Sequence, residues 1–273
     1  MFNLSRAREK SDLFYVIHNY NYEYGIQDLN IDLNSSIVYD CSDSDSKNFE
    51  TLDGTTWIKT KNSGHSLINF LTFIVDYYHC LPPNVAFLKS NLLERHVSRD
   101  YWEKNKLNNF YTPLWEDATF KTSSMDAYRL GPGIFMERNN SWYVWESRHR
   151  FFTSYNQMLD FLFVGAQHPE WIQFAPGACY IVEARQIYKY PRSFYQGLVL
   201  LLDYDFFPSE AWMLERMLHT IWSGYYEPQE YTKNFEEFAK KIANLNDLSN
   251  LKNPSKKFKK KLFRFFKIIA RDS

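Results

Sequence analysis

Cysteine is nearly absent. Cys41, Cys80 and Cys179 stand far apart in 273 residues, and no CxxC pair or Cys/His cluster accompanies them. That spacing excludes a zinc-finger type of site. An odd, sparse count also points to free thiols in a reducing compartment rather than a disulfide framework. Long apolar runs are missing too. The longest, such as FYVI and GLVLLL, fall far short of the roughly 20 residues a membrane span needs. The opening MFNLSRAREKSD has no apolar core of a signal peptide, so the expectation is a soluble chain made and kept in the cytoplasm. No internal repeat or low-complexity tract interrupts the chain. Net charge is also missing, since 32 basic residues meet 32 acidic ones. A nucleic-acid binder driven by bulk positive charge is therefore excluded.

What is present is apolar and aromatic material. Hydrophobic residues make up 45% of the chain, too many for a disordered or fibrous protein and enough for one large domain with a sizeable core. The charge is not spread evenly. Residues 252–273 hold nine basic residues against one acid, a formal +8, and residues 1–251 hold 23 against 31, a formal −8. The zero is a cancellation, and it divides the chain into a body, 1–251, and a tail, 252–273.

The tail is patterned. Phe258, Leu262, Phe265, Phe266 and Ile269 form one helical stripe, with Lys260, Arg264, Lys267 and Arg271 on the opposite side. Such a helix suits an anionic membrane surface. Docking against the acidic body is the alternative, and nucleic-acid binding lacks a groove or stacking platform.

In the body, LFYVIHNY (Leu13 to Tyr20) reads as a strand that stops in Asn-rich sequence. Ile37-Val38-Tyr39 reads as a second strand, delivering Asp40 and Asp43 to a carboxyl edge, where open α/β sheets bind ligands. Asn62-Ser63-Gly64 then supplies a turn. Leu67, Phe70, Leu71, Ile74, Val75 and Tyr78 repeat with helical spacing until Pro82-Pro83 stops the helix. Asn84 to Leu88 is the next strand, opening into Lys89, Ser90 and Asn91. This order predicts an α/β, Rossmann-like fold with a mostly parallel sheet flanked by helices and a C-terminal helical extension. A further helix spans Ser209 to Trp222, and on it Glu215 and His219 are four apart, so both project from one side. They are a candidate acid/base pair, or an ordinary surface pair. Trp142, Tyr143, Trp145, Phe151, Phe152 and Tyr155 crowd the middle. They could stack on sugar C–H faces or simply fill the core.

Two resemblances rest on these segments. YVIHNYNYE, IVYDCSDSDS, NSGHSLINFL and VAFLKSN resemble, in order and spacing, successive landmarks of the family 2-like GT-A glycosyltransferases. The body is also similar to the uncharacterised family catalogued as domain of unknown function 3431. The residues that carry this are Asn62 and Gly64, Leu81-Pro82, Val85 to Leu88, His96, the segment GACYIVEARQIYKYPRSFYQGL and the closing helix AWMLERMLHTIW. Together they cover roughly residues 13 to 223.

The resemblance implies a GT-A-like, hexosyltransferase-like enzyme that moves a sugar from a nucleotide-sugar donor to a cell-surface glycan or lipid-linked acceptor. The tail would hold it at the inner face of a membrane. In that setting Asn21, Asp40, Asp43, Asn62, Gly64, Lys89 and Asn91 are expected to hold the nucleotide sugar. Glu215 is the expected base, with His219 beside it. His96, Arg185 and Arg216 are expected near the leaving group or acceptor, and no metal ligand is assigned. The family's Asp-x-Asp slot reads Lys89-Ser90-Asn91, and Ser66 stands where the uncharacterised family usually has Glu. A magnesium or manganese ion normally bridges the diphosphate through such carboxylates. Here the enzyme is either metal-independent or another group, Lys89 for example, supplies the charge. The alternatives are a non-catalytic glycan- or partner-binding module on the same fold, or a different nucleotide-dependent enzyme.

Overall fold

A computed structural model describes residues 12–21, 25–43, 55–116 and 127–249, so the expected tail helix lies outside the described residues. The strands are β1 (Leu13–Asn19), β2 (Ser36–Asp40), β3 (Thr56–Lys59), β4 (Asn84–Lys89), β5 (Thr112–Pro113), β6 (Ala127–Gly131), β7 (Ile134–Arg138), β8 (Trp171–Phe174) and β9 (Tyr180–Glu183). The longer helices are α1 (His65–Tyr77), α2 (Arg99–Asn105), α3 (Tyr155–Leu162), α4 (Arg192–Leu202), α5 (Ser209–Ser223) and α6 (Phe235–Ala243).

Six strands form the main sheet in the order β3-β2-β1-β4-β9-β5. β3, β2, β1 and β4 run parallel, and β9 is antiparallel to both β4 and β5. The expected mostly parallel α/β sheet is therefore present. β3 and the small antiparallel sheet β6-β7-β8 were not anticipated from the sequence. β3 is short and only half-buried, so its apolar signal is weak.

β1 lies inside the sheet and all seven of its residues are buried. A strand covered on both faces reads as a continuous apolar run, as LFYVI does. Its alternate side chains feed two separate cores. Phe14 and Val16 join Ile37, Tyr39, Val85 and Phe87 against α1, α4 and α5, while Leu13, Tyr15 and Ile17 join Ala86, Leu88 and Trp102 on the other face. That second face is closed by Trp102, whose Nε1–H donates to the Leu29 carbonyl at 2.7 Å, and by the Tyr15 hydroxyl donating to the Lys106 carbonyl at 3.1 Å.

Two features fix the loops above the sheet. Gly64 sits at φ +60°, and a Cβ there would approach Ile68 Cβ and Leu202 Cβ to 3.0 Å. Its amide and that of His65 donate to the carbonyls of Asp205 and Phe206, both at 2.9 Å, so the start of α1 is joined to the α4–α5 loop. Below α5, the buried Glu210 accepts the amides of Arg150, Phe151 and Phe152 at 3.2, 2.7 and 3.0 Å. A buried carboxylate satisfied by three backbone donors anchors that loop without needing a cation.

Most of the aromatic cluster in the middle of the chain is core. Tyr143, Phe152 and Tyr155 are fully buried, whereas Trp142 is 40% exposed and faces the cavity described next. No described helix is long and apolar enough to cross a membrane.

Candidate functional site

The chain leaves β1 toward β2 on one side and returns to β4 on the other, so the crevice beyond β1 and β4 is a topological switch point. A cavity of about 390 Å³ opens there. Its floor is made by strand ends. Going along one face of the sheet, the row Phe14, Val16 continues into His18, and the row Val85, Phe87 continues into Lys89. His18 and Lys89 are register partners across the β1/β4 pair. Each apolar row thus ends in a polar side chain at the same edge, as alternation requires.

Lys89 is only 9% exposed and has no hydrogen bond or ion pair among the described residues. Burial pulls its ammonium below the ordinary lysine range, while nearby Glu215 acts in the opposite direction. His18 is buried, and its Nδ1 lies 2.8 Å from Asn69 Nδ2. Burial first, and the Lys89 charge second, hold the His18 imidazole down to about 3. His65 lines the same cavity at φ +55°, stacked on Phe207 with ring centres 4.3 Å apart. His96 donates to the Pro176 carbonyl, and burial holds it and His65 well below the usual histidine range. Arg95 stands exposed at the rim.

Helix α5 supplies the opposite wall. Glu215 accepts the Gly177 amide at Oε1, 2.5 Å, and Arg216 Nη1 at Oε2, 3.2 Å. Gly177 has φ +97°, and a Cβ on it would lie 2.3 Å from His96 Cε1, so glycine is required twice over. Arg216 is buried against the rings of Tyr143, 4.0 Å, and Phe174, 4.7 Å. It forms a two-pronged ion pair with the buried Glu137 of β7, both contacts at 2.7 Å. Glu137 also accepts from Trp142 Nε1 at 2.7 Å. This closed network ties the small sheet to α5 and positions Glu215.

Several expected site residues do meet here. Lys89, Asn91, His96, Glu215 and Arg216 all line the cavity. Others do not. Asn21, Asp40 and Asp43 form a separate cluster at the ends of β1 and β2, outside the cavity lining. Asp40 accepts from Asn19 at 3.0 Å, Ser42 Oγ at 2.6 Å and Lys59 at 3.2 Å. Burial raises the Asp40 carboxyl, yet the bonds from Ser42, Asn19 and Lys59 outweigh it and leave it below the ordinary range. Asn21 and Asp43 bond each other, and Tyr20 donates to Asp43 at 2.7 Å. Only Tyr20 of this cluster reaches the cavity. Asn62 and Gly64 also lie outside it, and Gly64 serves the packing of α1 on Leu202.

Three expectations need correction. His219 is not paired with Glu215: its Nδ1 lies 2.7 Å from the Tyr111 hydroxyl, and it borders a different cavity with Trp171 and Tyr225. Four-residue spacing places two side chains on one side of a helix, but the small sheet divides that side. Arg185 is at the wrong end of the sheet. Because β9 runs antiparallel to β4, Glu183 sits opposite Asn84, and Arg185 is 79% exposed, paired with Glu183 at 2.7 Å. Arg216 is committed to Glu137 and Glu215 rather than free for phosphate.

The sequence reading passed over His18, His65, Gly177 and Glu137. A histidine ending an apolar strand, in YVIH, was the one available signal. The others depend on which strands become neighbours.

A divalent cation does not suit this edge. The slot presents an ammonium, a hydroxyl and an amide, and no group of three His, Cys, Asp or Glu among the described residues could hold a metal.

Residues 33–237 match the sequence model of one family. The chain belongs to the family described as Protein of unknown function (DUF3431). The match takes in Lys89, His96, Gly177 and Glu215, whereas His18 and Tyr20 precede the matched DUF3431 region. Searches of the curated proteins and of the solved structures give no match.

Proposed function

We propose that this chain is a glycosyltransferase of GT-A type, moving a sugar from a nucleotide-sugar donor to a glycan or lipid-linked acceptor. The observation that carries the reading is a single cavity at the switch point that holds a buried cation, Lys89, with no partner among the described residues, and a positioned carboxylate, Glu215. Crevices at such points bind nucleotides in open α/β sheets. Trp142 and Trp212, on the wall with Glu215, offer faces on which a sugar could stack.

For transfer with inversion, the acceptor hydroxyl oxygen bonds to the anomeric carbon as the bond from that carbon to the phosphate oxygen breaks. The electron pair leaves with the diphosphate, whose charge falls beside Lys89, and the acceptor proton passes to Glu215. Gly177 and Arg216 keep the Glu215 carboxylate in place. Residues 252–273 would hold the enzyme at an anionic membrane surface where lipid-linked acceptors are presented.

A panel of UDP-, GDP-, CMP- and dTDP-sugars, read by thermal shift, tests donor binding. No stabilisation by any of them would refute the reading. Glu215→Gln is expected to keep donor binding and lose transfer by at least about a hundredfold, the scale of general base catalysis. Undiminished transfer removes Glu215 from the role. The occupation of both Glu215 oxygens by Gly177 and Arg216 favours a second reading, a non-catalytic binding module. Donor binding without transfer or hydrolysis by the unaltered protein would select it.

A further inference from the structure

His18 has no role in the reading above, although it is Lys89's neighbour across β1/β4. Its ring is fixed from behind. Asn69 on α1 is buried, and its Nδ2 reaches both His18 Nδ1, 2.8 Å, and Cys41 Sγ, 3.2 Å. The Cys41 sulfur also lies 3.0 Å from the Thr60 hydroxyl, 3.7 Å from the Lys61 carbonyl, to which its thiol can donate, and 3.9 Å from His18 Nδ1. The Asn69 oxygen is 3.4 Å from the Thr60 hydroxyl. In this orientation the amide donates both its hydrogens, so His18 Nδ1 accepts and the single ring proton of the neutral imidazole resides on Nε2.

A neutral histidine with Nδ1 occupied can only donate from Nε2. Beside it stands an ammonium with three donors and no partner among the described residues. Parallel strand neighbours are about 4.8 Å apart, a span that two oxygens of one phosphoryl group can bridge. Glu215, whose charge acts on Lys89, has its oxygens already engaged by Gly177 and Arg216.

We infer that the cavity floor is a phosphoryl-binding subsite, held by the His18 Nε2–H and the Lys89 ammonium, with Asn69 as the positioning residue that sets the His18 tautomer. This deepens the glycosyltransferase reading by placing the diphosphate of the donor, and it locates that group at β1/β4 rather than at the Asp40 cluster. An acidic cluster repels phosphate, whereas this floor presents donors only. The inference needs a phosphoryl-bearing ligand, not sugar transfer.

Inorganic diphosphate is the probe, added to the full chain and followed by 15N NMR of the histidine rings and by calorimetry. The expected result is a His18 ring protonated on Nε2 alone before addition, and a shift of that Nε2–H on saturation. Hydrogen bonds to charged groups are worth about 1.5–3 kcal/mol, so His18→Phe and Lys89→Met should each weaken diphosphate binding by roughly ten- to a hundredfold. Asn69→Leu should leave Lys89 in place yet mix the His18 tautomers and weaken binding, and a purely structural Asn69 would leave the tautomer unchanged. Asn69→Asp, whose carboxylate accepts a hydrogen bond from Nδ1–H, should move the ring proton there. A His18 protonated on Nδ1 in the unaltered protein, or diphosphate that binds without shifting His18, overturns the inference. So does the absence of diphosphate binding at millimolar concentration. Diphosphate seen at His18 in a protein that turns over no nucleotide sugar would sink the transferase reading and leave the subsite standing.

Discussion

Acidification offers a direct measure of how dry the cavity floor is. In the unfolded chain His18 titrates at the ordinary histidine value of 6.5, and in the folded protein burial and Lys89 hold it at about 3. A depressed value means that the unfolded chain takes up the proton first. The stability that His18 contributes is therefore complete above pH 6.5 and is lost progressively as pH falls toward 3. From pH 7 to pH 5 the loss attributable to this ring is about 2 kcal/mol, growing to about 5 kcal/mol below pH 3. His65 and His96 shift in the same direction and add to it. Urea denaturation of the unaltered protein and of His18→Gln at both pH values isolates the His18 share, because the carboxylates common to the two proteins cancel. The unaltered protein should lose about 2 kcal/mol more than the variant, or roughly 4–8 °C in melting temperature. Equal losses would mean that the folded ring titrates normally, and the closed, neutral-histidine floor would be wrong.

Three further outcomes can be checked. Gly177→Ala places a Cβ against the His96 ring at a positive φ, so it should cost at least about 2 kcal/mol in a thermal melt and displace the amide that holds Glu215. Arg216→Met leaves Glu137 buried without its cation and should destabilise by about 3–5 kcal/mol. Adding Glu137→Gln should recover part of that, and a double variant as unstable as the sum would deny the coupling. In vesicle sedimentation the full chain should pellet with anionic lipid and a 1–251 truncation should not, and equal binding would remove the membrane role from residues 252–273.

The strands and helices nearest the site were legible because their periodicity is local. LFYVI, IVY and NVAFL are short apolar runs, and the Leu67 to Tyr78 repeat has one covered face, so hydrophobic spacing alone reports β1, β2, β4 and α1. Lys89 and Glu215, which line the cavity, were legible for the same reason, at the end of one strand and on one helix. The Asp40 cluster lies outside the cavity, and the sequence does not report this because acids at a strand's carboxyl edge look alike whether they line a cavity or, as here, meet Asn19, Ser42 and Lys59.

The amino-acid sequence by itself determined the α/β class, the direction in which β1, β2 and β4 deliver their polar ends, and the separation of a −8 body from a +8 tail. Side-chain alternation and charge are properties of the chain and need no partner. Only the tertiary structure decided that β9 enters antiparallel, which carries Gly177 to the cavity and Arg185 away from it. It also decided that His18 lies beside Lys89, and that Arg216 belongs to Glu137. Those facts depend on strand order and on contacts between residues dozens of positions apart, and no local pattern encodes which edge of a sheet a distant segment will join.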